Sequence, residues 1–386
     1  MPSNEQLELQ ALARDFATSE LRPHSASWDE ARTLGDEVFA KLSESGFMGM
    51  LVPEAYGGLG FDLLTYLLVL EEIAWGDAAV GLSVAIHNGP VVDLILRHGT
   101  EEQKREWLPR LASGATLGAF ALSEPDSGSD PGSLSTAATP DGDGWRLDGE
   151  KRWVTNGGRA GLILLFARTS ENGLGLFLVP RDADGYEIGA SEKTLGLRAS
   201  ETVPVTLNAV RVESGALVGE AGSGLRYALE ALDLGRIGIA VQAVGIGRAA
   251  MEHAAGYALE RQQFSQPIAR FGAIQAKLAD MAQRLAGGRA LAHVAASAWE
   301  AARSGNGPRQ GLEGVTAKAA VAKLAASEAA SWSADEAIQI YGGYGYMKHY
   351  PVEKLLRDAK GTEIYEGTNE ILRRVIAGEI LRDAGV

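Results

Sequence analysis

Six short segments carry side chains whose types and spacing suit ligand chemistry. Near the C-terminus, Thr362-Glu363-Ile364-Tyr365-Glu366-Gly367-Thr368-Asn369-Glu370 sets a carboxylate between an aromatic ring and a glycine, just ahead of the last helical pattern. Thr368 is equally suited to cap that helix. Upstream, Glu124-Pro125-Asp126-Ser127-Gly128-Ser129-Asp130 closes a strand with a polar turn rich in hydroxyls and backbone N–H groups, able to cradle an anionic or polar ring edge. Trp153-Val154-Thr155-Asn156-Gly157-Gly158 offers a flat aromatic beside a hydroxyl at another strand end. Asp233 and Arg236 lie on one helix face, flanked by Gly235 and Gly238, which permit close approach. Arg261-Gln262-Gln263-Phe264 sets a guanidinium suited to bidentate phosphate contact next to an aromatic ring, although an arginine there also complements a helix C-terminus. Tyr341-Gly342-Gly343-Tyr344-Gly345-Tyr346 ends a helix with bare backbone that a ligand can touch.

Other chemistries lack their signatures. A G-x-G-x-x-G dinucleotide fingerprint, a phosphate-binding loop ending in Gly-Lys-Ser/Thr, an HExxH zinc motif and a G-x-S-x-G elbow are all missing. The 6 histidines form no closely spaced pair, and with no cysteine there are no disulfides, thiolate nucleophiles or cysteine-ligated metals. The 36 basic and 50 acidic residues give a formal charge of -14, the wrong sign for a general nucleic-acid partner. Anionic ligands therefore need local basic positions. The N-terminus lacks signal-peptide order, and acids interrupt the apolar run FDLLTYLLVLEEIAW, so a non-exported, cytoplasmic protein without stable membrane insertion is expected.

A chain of 386 residues is expected to split into subdomains. Three-and-four spacing of apolar residues through Leu7 to Leu21, Val38 to Phe47 and Leu63 to Ile73 predicts an N-terminal helical domain over 1–115. Short apolar or alternating runs, with a hairpin signal at Asp141-Gly142-Asp143-Gly144, predict a middle antiparallel β domain over 116–221. Long alanine- and leucine-rich segments, Leu225 to Arg261, Ala273 to Arg303, Val315 to Tyr341 and Asn369 to Leu381, predict a C-terminal four-helix bundle over 222–386. The fold class is mainly α with a central β domain.

In their order and separations, ALSEPDSGSD, RWVTNGG, LDLGRIGIA, RQQF, AIQIYGGYGY and EIYEGTNEI resemble the acyl-CoA dehydrogenase family over essentially the whole chain, and most closely its short-chain or butyryl-type members. That resemblance implies noncovalent FAD bound without a Rossmann fold. By it, Phe120, Leu122, Ser123, Gly128, Ser129, Trp153 and Thr155 line the flavin, and Ser129 also touches the thioester ligand. Arg261, Phe264, Gln275, Gln339, Gly342, Gly343, Thr368 and Glu370 meet the rest of the cofactor, in part from a neighbouring subunit of a homotetramer. Asp233, Arg236 and Gly367 lie near the acyl-CoA. Glu366 becomes the base that removes the proton alpha to the thioester carbonyl, with burial raising its proton affinity. One branch of the family takes its base from the position that is Gly235 here, and glycine cannot serve. Electrons are expected to pass to an electron-transfer flavoprotein. The resemblance leaves an acyl-CoA oxidase or a noncatalytic interaction protein as alternatives. The strand end usually written Phe-Glu-Asp in the family reads Leu207-Asn208-Ala209 here.

Overall fold

The computed structural model describes residues 2–170 and 173–385. Helices α1 (Asn4–Phe16), α2 (Ser25–Ala31), α3 (Asp36–Glu44), α4 (Leu63–Gly76), α5 (Ala78–Ile86), α6 (Val92–His98) and α7 (Glu101–Ala112) come first. Their ends follow local chemistry. Ser3 and Thr100 each build a capping box with a glutamine three residues on, and Asp62 and Asp77 cap α4 and α5. The α4 and α5 helices are buried nearly all round, because they form the core against which the later bundle packs. By length and composition Ala78–His98 could cross a membrane, but its most apolar window is 94% buried inside the protein, as suits a core helix.

Strands β1 (Gly118–Ala121), β2 (Ala137–Asp141), β3 (Gly144–Thr155), β4 (Leu162–Ser170), β5 (Gly173–Pro180), β6 (Tyr186–Ile188), β7 (Thr202–Glu213) and β8 (Leu217–Gly222) follow. They pair in the order β6-β7-β3-β2-β4-β5-β8, with β1 added beside β4. The β2–β3 hairpin turns where expected, with Gly142 at φ +65°. The sheet is mostly antiparallel, but β1 pairs parallel to β4, as does one residue of β2. The chain reverses at the β2–β3 hairpin and again between β3 and β4, so β4 returns in the direction of β1.

The C-terminal part holds α8 (Gly224–Glu260), a small hairpin of β9 (Gln262–Gln263) and β10 (Gln266–Pro267), then α9 (Gly272–Arg303), α10 (Val315–Tyr341), α11 (Pro351–Thr362) and α12 (Asn369–Asp383). The α8 helix is 37 residues long and packs on α4, α5, α9, α10 and α11. At 1.5 Å per residue it runs about 55 Å. The expected four long helices are joined by α11. Its start is marked by Pro351 at the first helical position, a signal readable in the sequence. The α11 helix ties three parts of the chain together. Lys354 is buried between Asp77 (3.1 Å) and Asp358 (2.7 Å), and Asp358 accepts the Leu197 N–H at 2.6 Å.

A second buried pair fixes the turn after β1. Lys151 donates to Glu124 at 2.8 Å and to the Leu122 carbonyl at 3.1 Å, while Ser135 and Thr136 donate backbone N–H groups to the same carboxylate. Burial raises the proton affinity of Glu124, but Lys151 and these donors outweigh it and hold the pKa at about 2. A depressed carboxylate contributes stability above its ordinary value of 4.5, and that contribution is lost as pH falls towards 2. Lys151→Met strands the carboxylate. Denaturant unfolding at neutral pH is expected to show a loss of about 3–5 kcal/mol, shrinking below pH 4.5 as Glu124 takes up a proton.

Candidate active site

A cavity of about 1850 Å³ opens between the sheet and the C-terminal helices. Pockets for a single small ligand span roughly 300–1,000 Å³, so this space suits two. Its sheet-side wall holds Phe120, Leu122, Ser123, Gly128, Ser129, Trp153 and Thr155. Its helical side holds Asp233 and Arg236 from α8, and Glu366, Gly367 and Thr368 from the loop between α11 and α12. Leu82 and Ile86 of α5 supply apolar floor.

Backbone strain on the cavity lining falls at Leu197 (φ +51°) and at two further points. Trp153 sits at φ +55° with its large side chain 57% exposed, and Asn156 follows at φ +65°. Asn156 is buried and joins Ser83 of α5 to the Gly118 carbonyl of β1, so the strand end is pinned to the helical core. The other point is Glu366 at φ +54°, followed by Gly367 at φ +94°. A non-glycine residue held there costs of order 1–3 kcal/mol and persists only where surrounding contacts enforce it.

Those contacts are identifiable. Arg236 donates to the Glu366 carbonyl at 3.3 Å and pairs with Asp233 at 3.2 Å. Asp233 in turn accepts from Thr316 at 2.9 Å and meets Arg309 at 3.4 Å. Lys323 of α10 donates to the Gly367 carbonyl at 2.8 Å and to Asn369 at 3.3 Å. Tyr365 donates to Gln242 of α8 at 2.9 Å, and Thr368 caps α12, as its position suggested. With the carbonyls turned to these cations, the Glu366 carboxylate lines the cavity with its Oε2 shielded. Burial raises its pKa to about 7, against the opposing pull of Arg236 and then Lys323. Its Oε2 has no hydrogen-bond partner, and among the described residues no protein acceptor takes the Glu366 or Gly367 backbone N–H. An unpartnered base beside free donors suits a carbonyl ligand that acidifies its neighbouring carbon.

Glycine at 235 does more than lack a carboxylate. A Cβ there would lie 2.7 Å from Glu366 Oε2 and 2.8 Å from its carboxyl carbon. The carboxylate rests on bare helix backbone.

Seven expected cofactor contacts lie away from this cavity. Arg261, Phe264, Gln275, Gln339, Gly342 and Gly343 are exposed where the end of α8, the β9–β10 hairpin, the start of α9 and the end of α10 meet. Arg261 covers the Tyr344 ring at 5.6 Å, Phe264 meets Phe271 edge-on at 5.9 Å, and Gln275 donates to the Ala269 carbonyl. Phe264 is 87% exposed, an unusual setting for a phenylalanine in a lone chain. Glu370 is exposed on the first turn of α12. Lys323 carries no sequence motif, and Asn156 stands out in the sequence only as part of the Trp153–Gly158 segment. Lys323 was detectable as a lone cation on the Ala319, Ala326, Ser327, Ala330 stripe of α10, a face too apolar to leave a charge unpartnered.

A strained carboxylate with an unpartnered oxygen faces a large cavity between a β domain and a helical bundle. The sequence matches the N-terminal, middle and C-terminal domains of acyl-CoA dehydrogenases over residues 3–115, 119–210 and 222–381. It is 43% identical to an acyl-CoA dehydrogenase of Bacillus subtilis over 383 residues, covering 98% of each chain. It is 42% identical to the mitochondrial short-chain specific acyl-CoA dehydrogenase of Bos taurus over 386 residues, covering 99% of this chain and 91% of the other. The butyryl-CoA dehydrogenase structure from Megasphaera elsdenii superposes with a TM-score of 0.94 at 37% identity, covering 99% of each chain. The chain belongs to the acyl-CoA dehydrogenase family. It is an oxidoreductase with a flavin cofactor, acting in acyl-CoA dehydrogenation.

Gly235→Ala tests the carboxylate seat. The added methyl forces the carboxylate to move by the order of 1 Å, which costs roughly 100-fold in substrate-dependent flavin reduction. Circular dichroism and thermal unfolding are expected to stay close to wild type.

Proposed function

We propose that Glu366 removes the α-proton of a short-chain acyl-CoA thioester while the β-hydride passes to bound FAD, giving the trans-2-enoyl-CoA. The observation carrying this reading is the unpartnered Glu366 carboxylate, with a pKa of about 7, on the wall of a cavity sized for two ligands. FAD, when bound, supplies the electron-accepting ring. Phe120, Leu122, Ser123, Gly128, Ser129, Trp153 and Thr155 would hold that ring against the sheet wall, and the open space around Gly128 suits close approach to backbone. An FAD-complexed acyl-CoA dehydrogenase from Bacillus anthracis, alike at TM-score 0.93 and 32% identity, supports the choice of FAD.

The protein's own residues account for the proton. Glu366 takes it on the free Oε2, and the α C–H electron pair becomes the Cα=Cβ bond as the β-hydride departs, with negative charge building transiently on the thioester carbonyl oxygen. The Glu366 backbone N–H stabilises the resulting enolate charge, and donors so placed are worth about 3–4 kcal/mol each in acyl chemistry. Asp233 and Arg236 hold the loop from below and flank the ligand, with Ser129 and Gly367 bordering the thioester. The exposed cluster of Arg261, Phe264, Gln275, Gln339, Gly342 and Gly343 would contact FAD from a neighbouring copy within a homotetramer, together with Thr368 and Glu370. Its apolar exposure in the single chain supports that reading. Electrons would leave through an electron-transfer flavoprotein. A chain in a structure titled for the electron transferring flavoprotein of Acidaminococcus fermentans, alike at TM-score 0.93 and 35% identity, supports it.

Several measurements test this reading. Glu366→Gln should keep FAD bound yet lower anaerobic flavin bleaching by butyryl-CoA about 100- to 10,000-fold, the range general bases contribute. Near-normal bleaching would overturn the base assignment. In the wild type the bleaching rate should climb with pH through about 7 as Glu366 ionises. The raised pKa also means that the folded state holds a proton the unfolded chain releases above 4.5. Stability from this group is therefore present below 4.5 and declines up to about 7, so Glu366→Gln should unfold later than wild type at alkaline pH and equally at low pH. Arg261→Ala should weaken FAD retention without moving the Glu366 titration. A thioester series from butyryl- to palmitoyl-CoA fixes chain preference, and stoichiometric aerobic peroxide would favour an oxidase over the dehydrogenase.

A further inference from the structure

We infer that Lys323 is a positioning residue for the reaction: its ammonium clamps the Glu366 loop from beneath and keeps the carboxylate available as a base. The inference rests on Glu366 being that base and concerns a residue that touches neither ligand. Lys323 is fully buried in α10 on a face of alanine and serine. An ammonium there must find acceptors, since an isolated buried charge is severely penalised. It finds the Gly367 carbonyl at 2.8 Å and Asn369 Oδ1 at 3.3 Å, and Ser327 supports Asn369 at 3.1 Å.

The geometry explains why a clamp is required. Glu366 and Gly367 take consecutive left-handed conformations, so this stretch gains no helical hydrogen bonds of its own. Its two successive carbonyls are instead held by two cations from different helices, Arg236 of α8 on Glu366 and Lys323 of α10 on Gly367. Held in this way, the loop presents its free N–H groups and the carboxylate to the cavity.

The charges around Lys323 decide the electrostatic consequence. Facing it are Glu366, Glu363 and Glu370 from the loop and the start of α12, and Arg236 from α8, itself paired with Asp233. Burial lowers the Lys323 pKa to about 7, while Glu366 favours the charged ammonium and Arg236 opposes it. The same attraction acts on Glu366, whose raised pKa Lys323 and Arg236 pull down. Lysine and glutamate therefore titrate as a coupled pair. On the acidic limb Lys323 is protonated, and there its loss is felt most.

The test uses the FAD holoenzyme with Lys323→Met, which removes charge and donor, and Lys323→Gln, which keeps a donor without charge. Two readouts are taken: the pH profile of butyryl-CoA bleaching, and an infrared titration of the protonated carboxyl band that vanishes in Glu366→Gln. Both variants should shift the acidic limb and the carboxyl band upward by about one pH unit, the size of shift one nearby opposite charge produces. At pH 7 that lowers the ionised fraction about five-fold, seen mainly in kcat rather than KM. If Lys323→Met does not fold, Lys323→Gln decides the matter. An unmoved limb and band in a folded variant, with only the unfolding temperature lowered, would overturn the inference while leaving Glu366 as base. If the band is moved but Glu366→Gln bleaches normally, the base assignment fails instead, and this inference falls with it.

Discussion

The site depends on one constraint: a carboxylate must be kept beside protein rather than water while retaining one oxygen free of partners. Burial alone would neutralise Glu366, and strong pairing would make it a poor base. The structure resolves this by aiming the neighbouring cations at backbone carbonyls. Arg236 and Lys323 bond to the carbonyls of Glu366 and Gly367, so each acts on the carboxylate through space without occupying it. The pKa of about 7 is the balance of that burial and those two charges.

The rest of the architecture serves this balance. The α8 helix lends bare backbone at Gly235, the Asp233–Arg236 pair that flanks it, and Gln242 to hold the ring of Tyr365. The α10 helix brings Lys323, and α11 sets the loop's starting point while tying the 194–197 wall to the N-terminal helices through Asp358, Lys354 and Asp77. On the opposite wall, Asn156 locks the strained Trp153 strand end to α5 and β1. Although the chain carries a net charge of -14, basic groups outnumber acidic ones on this lining, with Arg152, Arg226, Arg236, Arg309, Arg357, Lys360, Arg374 and Arg382 against Asp130, Glu230, Asp233, Glu366 and Glu379.

Much of this was legible in the order of the residues. Helical periodicity, the Asp141–Gly144 turn and the capping residues follow from local stereochemistry, so helices, sheet and bundle could be read directly. Glu366 could be singled out as a candidate, since a glutamate fixed between tyrosine and glycine recurs with its companion motifs in one family. What escaped was set by non-local contacts. The parallel β1–β4 pairing depends on where the chain returns, which no short window records. The short α11 helix was outweighed by its long neighbours despite Pro351 at its start.

The sequence by itself determined the fold class, the family and the carboxylate that could act, because each rests on residue type and short-range spacing. Only the tertiary structure decided what that carboxylate is. Its raised proton affinity, its seat on Gly235 and its clamp by Lys323 arise where α8, α10 and the 363–369 loop converge, and the electrostatics of a buried group are fixed by neighbours distant in sequence. The same holds for Arg261 and Phe264. Their types suggested cofactor contact, but the fold sets them on an exposed face away from the cavity of their own chain.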